Sequence, residues 1–210
     1  MKEKKRRIKT GPIVCLFLIF IFGILIYCVF ELLGSLKTDE PKEIKIVNQI
    51  ESYKYSLDEN DSAYVSDVFK KLKEELEKEE KEEEKYASLL SQIFLADFFT
   101  LNSATNKNDI GGTQFVLSTY RDTFIKKAKD TVYRYVENNL YKDRQQELPI
   151  VSKVDVKKIE KKAYTTDKLT DANAYYVTCE IHYKEELGYQ VYANLILVHN
   201  DNKLEVAVMK

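Results

Sequence analysis

Three side chains in this chain of 210 residues have types and surroundings suited to proton chemistry: Asp97, His182 and His199. Asp97 lies in a run of apolar residues that includes Leu95, Phe98 and Phe99. Apolar surroundings disfavour a charged carboxylate and raise its pKa, which makes such a group a candidate general base. An imidazole titrates near neutrality, so Asp97 with His182 or His199 is the candidate proton-transfer pair. The 15 tyrosines could then hold a ligand by stacking and hydroxyl bonds. The plainer alternative outweighs this one. Asp97 then sits on a narrow polar strip or bonds a tyrosine or backbone amide, and the large rings fill the interior.

Other chemistries have less to stand on. His182 falls on a strand face with Tyr176, Thr178 and Glu180, and His199 lies beside a turn. A zinc site needs a third ligand converging on both histidines, and none is legible. Cys15 and Cys28 lie in an apolar segment, which leaves Cys179 alone in the remainder, without a disulfide partner. The pair Gly111-Gly112 lacks the fuller glycine pattern and following lysine of a phosphate loop, and reads as a turn. No nucleophile-elbow or cysteine-protease signature is present. The expectation is no catalytic residue set, no cofactor and no metal.

Charge excludes another class. The net charge of −1 combines a basic first segment (Lys2, Lys4, Lys5, Arg6, Arg7 and Lys9 against Glu3) with a mildly acidic body. A body without a basic stripe argues against nucleic-acid binding.

The basic cluster has a different partner. Residues 13–30, IVCLFLIFIFGILIYCVF, are 18 consecutive residues without charge. As a helix they cover about 27 Å, close to the hydrocarbon thickness of about 30 Å. The stretch exceeds a signal-peptide core, and no small-residue cleavage site follows it. Basic residues precede the stretch and net-acidic ones follow, so the tail is expected in the cytoplasm and the rest outside. The expected organisation is a cytoplasmic tail at 1–11, a transmembrane helix at 12–34, a linker at 35–43 and an extracytoplasmic domain at 44–210. The expected location is the cytoplasmic membrane, in a single pass.

The elements that must position Asp97 and the histidines follow from periodicity. Residues 44–57 approximate a period of two, with a slip near Asn48, and read as a strand. Asp61 or Ser62 can cap a first helix over 63–81, on which Val65, Val68, Phe69, Leu72 and Leu76 recur at three and four. The acidic run at 74–85 reads as solvated helix or connection. A second helix over 84–104 is apolar around most of its surface and carries Asp97. Thr113 can cap a third and longest helix over 114–140, on which Phe115, Leu117, Tyr120, Phe124, Ala128, Val132, Tyr135 and Val136 form one stripe. From Ile150 the pattern alternates. Tyr175, Val177, Cys179, Ile181 and Tyr183 share one face, and Tyr189, Val191, Ala193, Leu195 and Leu197 share one face of the next strand. Short turns between such segments predict an antiparallel meander of about four strands, and the whole reads as α+β.

This order of strand, three helices and meander resembles the cone-shaped fold of the nuclear transport factor 2-like superfamily, over roughly residues 44–210. That superfamily includes enzymes, binding modules and structural domains. The basic tail, single span and outside domain also look like assembly proteins of type IV secretion and conjugation machinery. The segments LADFFTLNSATNKNDIGGTQFV and QQELPIVSKVDV resemble anchored proteins of low-GC Gram-positive bacteria. The functional expectation is a membrane-anchored interaction or scaffold module whose partners are the lipid bilayer and other envelope or membrane proteins. The alternative is a ligand-binding or proton-transfer cone with a pocket near Asp97.

Overall fold

The computed structural model describes residues 23, 24, 26, 27, 45–141 and 143–210. The expected tail, linker and most of the expected membrane helix lie outside the described residues. Of that helix only Gly23, Ile24, Ile26 and Tyr27 are described. They are helical, and Ile24, Ile26 and Tyr27 are exposed. Among the described residues no helix is long and apolar enough to cross a membrane.

The unit Ile44–Lys210 is α+β, with three α-helices and a four-stranded antiparallel sheet. It begins with a hairpin where one strand was expected. Strands β1 (Ile46–Ile50) and β2 (Tyr55–Asp58) pair antiparallel, with a register irregularity between Ile46 and Asn48. The chain reverses through a 3-10 turn at Glu51–Tyr53 that ends on Lys54 at φ 53°. Ile50, Tyr53, Tyr55 and Leu57 from this hairpin enter the core.

Helix α1 (Ala63–Leu76) starts where Ser62 caps it, its hydroxyl accepting the Val65 N–H at 3.2 Å. It stops at Leu76, short of the expected 81. Glu75 explains the stop. Its side chain is fully buried and takes Lys78 Nζ at 2.7 Å, Lys85 Nζ at 2.9 Å and the Glu82 N–H at 2.9 Å. One carboxylate thereby organises the whole turn into the next helix. Burial alone would raise its pKa, but the two ammonium groups and the amide bring it down to about 2. Its acidic neighbours Glu79, Glu80 and Glu84 are exposed, as a solvated connection requires.

Helix α2 (Glu83–Phe99) is buried on most sides, including Leu90, Ile93, Phe94, Leu95 and Phe98. The third helix, α3 (Ser118–Asp130), is shorter than expected, and α2 is the longest of the three helices of this unit. Thr113 opens a 3-10 turn at Thr113–Phe115, and the residue preceding α3 is Leu117. At the other end, the Tyr133 N–H and the Thr131 N–H both bond the Ala128 carbonyl, and the chain turns out of the helix. Tyr133 is then buried, and its hydroxyl donates to the Phe98 carbonyl at 2.7 Å. An aromatic periodicity that continues past the helix end is therefore satisfied by a docked turn.

Strands β3 (Val151–Thr166), β4 (Leu169–Tyr183), β5 (Tyr192–Asn200) and β6 (Lys203–Met209) form a meander in that spatial order. Val177, Cys179, Ile181, Ala193, Leu195 and Leu197 face the helices, as alternation predicts, whereas Val191, expected on the same face, precedes β5 and is exposed. The helical layer is not confined to that face. Ala174 and Val198, one residue out of phase with Tyr175 and Leu197, form a second cluster with Leu117 and Tyr120. The segment leading into α3 also covers the β6 edge, with the Leu117 N–H on the Val206 carbonyl at 3.0 Å.

Candidate functional site

Asp97 lies in the last turn of α2, and its Oδ2 accepts the Gly112 N–H at 2.7 Å. The Gly111 N–H donates to the Tyr133 hydroxyl at 3.1 Å. Both amides that could have held a phosphate are therefore committed inside the fold. The two glycines are required by geometry. Gly112 has φ +73°, and a Cβ on Gly111 would lie 2.4 Å from the Asp97 carbonyl oxygen. Asp97 thus docks the 111–112 turn onto α2. Burial, and then the nearby carboxylate of Asp61, push its pKa up to about 7 against the lowering effect of the Gly112 amide. Asp61 is itself raised to about 6, mainly by burial, while its Oδ2 accepts the Asp58 N–H at 2.7 Å.

His199 sits on β5, far from Asp97. Its Nδ1 is 2.8 Å and its backbone N–H 2.7 Å from Asp171 Oδ2 on β4. Its Nε2 is 3.0 Å from Glu83 Oε1, at the first residue of α2. Glu83 Oε2 also accepts the Tyr175 hydroxyl at 2.7 Å and Lys161 Nζ at 2.9 Å. Two carboxylates therefore face one imidazole, an arrangement suited to the doubly protonated ring. Burial lowers the His199 pKa, but the bonds to Asp171 and Glu83 outweigh it and the pKa is raised. The Tyr175 hydroxyl, then Lys161 and His199, hold Glu83 down to about 2. The cluster fastens the start of α2 to β3, β4 and β5. Asp97 and Glu83 are 14 positions apart on one helix, about 21 Å along its axis, so His199 cannot serve as the partner of Asp97.

His182 lies on the opposite, wetter face of the sheet. Its Nε2 is 3.0 Å from Asp155 Oδ2 and 3.7 Å from Glu180 Oε2. One donor atom from each of the three residues lies within 4.8 Å of the others, so they are the residues able to hold a metal among those described. Lys153 Nζ is 2.6 Å from Asp155 Oδ1, and Lys157 Nζ is 2.6 Å from Glu180 Oε2. Asp155, Asp171 and Glu83 were not singled out from sequence. One signal existed for Asp155. A two-residue turn at Asp167-Lys168 pairs Thr166 with Leu169, and counting back from it places Asp155 opposite Glu180.

Cys179 is fully buried, and burial pushes its thiol up to about 12, far from a reactive thiolate. Compared with known proteins, the chain matches no family model, no curated protein and no solved structure.

Proposed function

We propose that the protein is a membrane-anchored interaction or scaffold module, its α+β domain held at the outer face of the cytoplasmic membrane by residues 12–34. The observation that carries the non-catalytic part is the state of the interior. Aromatic rings fill it, and their polar atoms are bonded internally. The Tyr55 and Tyr86 hydroxyls lie 2.9 Å apart, and Tyr55 also donates to the Leu204 carbonyl at 3.2 Å. Phe98 packs against Phe94, Phe99, Phe124 and Tyr133. Asp97, His182 and His199 each hold a different part of the fold. The anchor rests on the uncharged run at 13–30 beside the basic tail. The element order supports the likeness to the nuclear transport factor 2-like superfamily, which includes non-catalytic modules.

A second reading, a ligand-binding or proton-transfer domain, is favoured by one observation: the Asp97 carboxyl is raised to about 7, the range of a working general base.

Topology and partners are tested together. Lys168, exposed in the β3–β4 turn, is replaced by cysteine in the full chain. A membrane-impermeant maleimide should label Lys168→Cys in intact cells, whereas buried Cys179 should react only after denaturation. Photo-crosslinkers at Lys162 and Thr178 should then give the same membrane or envelope protein as an adduct from both positions. Labelling only after lysis, or no adduct from either position, overturns the proposal.

A further inference from the structure

We propose that Asp155, Glu180 and His182 form a binding site for a single divalent transition-metal ion of the zinc class on the exposed face of the sheet. The backbone places the three donors before any metal arrives. Asp155 and Glu180 are direct register partners across the antiparallel β3–β4 pair. His182 follows Glu180 by two residues and so projects from the same face, diagonal to Asp155. A long paired ladder is a stiff scaffold, and the ladder from Val154–Ile181 to Val156–Cys179 is regular at this point.

The spacing matches the ion. Zinc binds imidazole nitrogen and carboxylate oxygen at about 2.0–2.2 Å, and tetrahedral angles then put donor atoms about 3.3–3.5 Å apart. The His182 Nε2 distances of 3.0 Å to Asp155 Oδ2 and 3.7 Å to Glu180 Oε2 bracket that value. The two carboxylate oxygens lie within 4.8 Å of each other, and side-chain rotation about a metal ion closes the set. A mixed imidazole–carboxylate set suits zinc better than calcium or magnesium, which prefer all-oxygen shells. The Tyr192 hydroxyl donates to Glu180 Oε1 at 3.1 Å, leaving Oε2 toward His182 and orienting the carboxylate as a supporting outer-shell bond does. Three protein donors leave a fourth position for water.

The competitors are also visible. Lys157 Nζ occupies Glu180 Oε2, the oxygen the ion needs, while Lys153 Nζ sits on the other oxygen of Asp155. Both lysine side chains are at least half exposed and can swing into water. The ion therefore displaces Lys157 and leaves Lys153 in place. Removing the Lys157 charge must strengthen binding here and leave capture elsewhere on the chain unchanged, which locates the ion at Glu180.

The test uses the full chain in mild detergent, stripped with chelator and titrated with Zn²⁺ by calorimetry, then with Co²⁺ by absorption. One ion should bind per chain. Asp155→Asn and His182→Ala should each weaken binding by about tenfold or more. Lys157→Met should strengthen it by about threefold. The Co²⁺ complex should lack a thiolate charge-transfer band, which excludes Cys15 and Cys28. His199→Ala should bind like the parent. Asp155 and His182 lie on the solvent-facing side of the sheet, and circular dichroism checks that every variant, His199→Ala included, is folded. Folded His182→Ala with parental affinity, a thiolate band, Lys157→Met no tighter than the parent, or no binding at submillimolar Zn²⁺ would overturn the proposal.

Discussion

Replacing Asp97 with asparagine separates the docking role of this residue from the cost of its charge. The asparagine oxygen can still accept the Gly112 N–H that Oδ2 now accepts at 2.7 Å. What disappears is the titration. The carboxyl moves from an ordinary value of 3.8 to about 7 in the folded chain. Between those values the folded chain keeps a proton that the unfolded chain has released, so this group makes stability fall as pH rises through the window. A tenfold difference in proton affinity corresponds to about 1.4 kcal/mol, and the full rise at Asp97 to about 4 kcal/mol. Asp97 as a whole residue is half-buried, so the working figure is about 2–4 kcal/mol. Urea unfolding of the full chain in mild detergent, followed by circular dichroism between pH 4 and pH 8, reads the effect. The wild-type curve alone is not enough, because His199 and Asp61 contribute in the same direction. The difference between the two proteins isolates Asp97. It should move in favour of asparagine as pH rises and level off above about pH 7. A difference that stays constant across this range would refute the assignment of a desolvated, proton-holding carboxyl, and with it the proton-transfer reading.

Two further perturbations probe the neighbouring contacts. Gly112→Ala forces a side chain into φ +73° and places a Cβ 3.0 Å from Phe94 Cδ2, so urea midpoints should report a loss of about 1–2 kcal/mol; an unchanged midpoint would mean that the turn is not docked on α2. The His199 ring, followed by NMR through its Cε1 proton, should titrate above 6.5, because its pKa is raised in the fold. Its contribution to stability is therefore complete below pH 6.5 and is lost as pH rises through the raised value, so His199→Gln should show a smaller decline there; a midpoint at or below 6.5 would contradict the clamp.

Much of the architecture was legible because it rests on short-range pattern. The alternation of Val177, Cys179 and Ile181, the three-four spacing of Val65, Val68, Phe69 and Leu72, and the Ser62 cap each report a local geometry that neighbouring residues dictate. The limits of that information show at two places. The stripe through Val132, Tyr135 and Val136 reads as helix to 140, yet Tyr133 gains a buried bond to the Phe98 carbonyl by leaving the helix at Asp130. Residues 44–57 read as one strand, yet the chain reverses at Lys54, whose φ of 53° carries no glycine or asparagine signature.

By itself, the sequence determined the uncharged run beside a basic tail, the α+β class, and Asp97 as an acid in apolar company. Composition and periodicity are enough for these. The tertiary structure alone decided which groups meet. It set Asp97 on a glycine turn, His199 between Asp171 and Glu83, and His182 beside Asp155 and Glu180. Those partners come from strands and helices up to 116 positions apart. Their meeting depends on strand register, which two compensating irregularities along β3 displace and restore between Thr166 and Asp155. A one-residue slip would send the strand-borne members, Asp155, Asp171, Glu180, His182 and His199, to the other face of the sheet. Chemistry on this chain is therefore a property of the register that joins its strands, and the residue types alone leave it open.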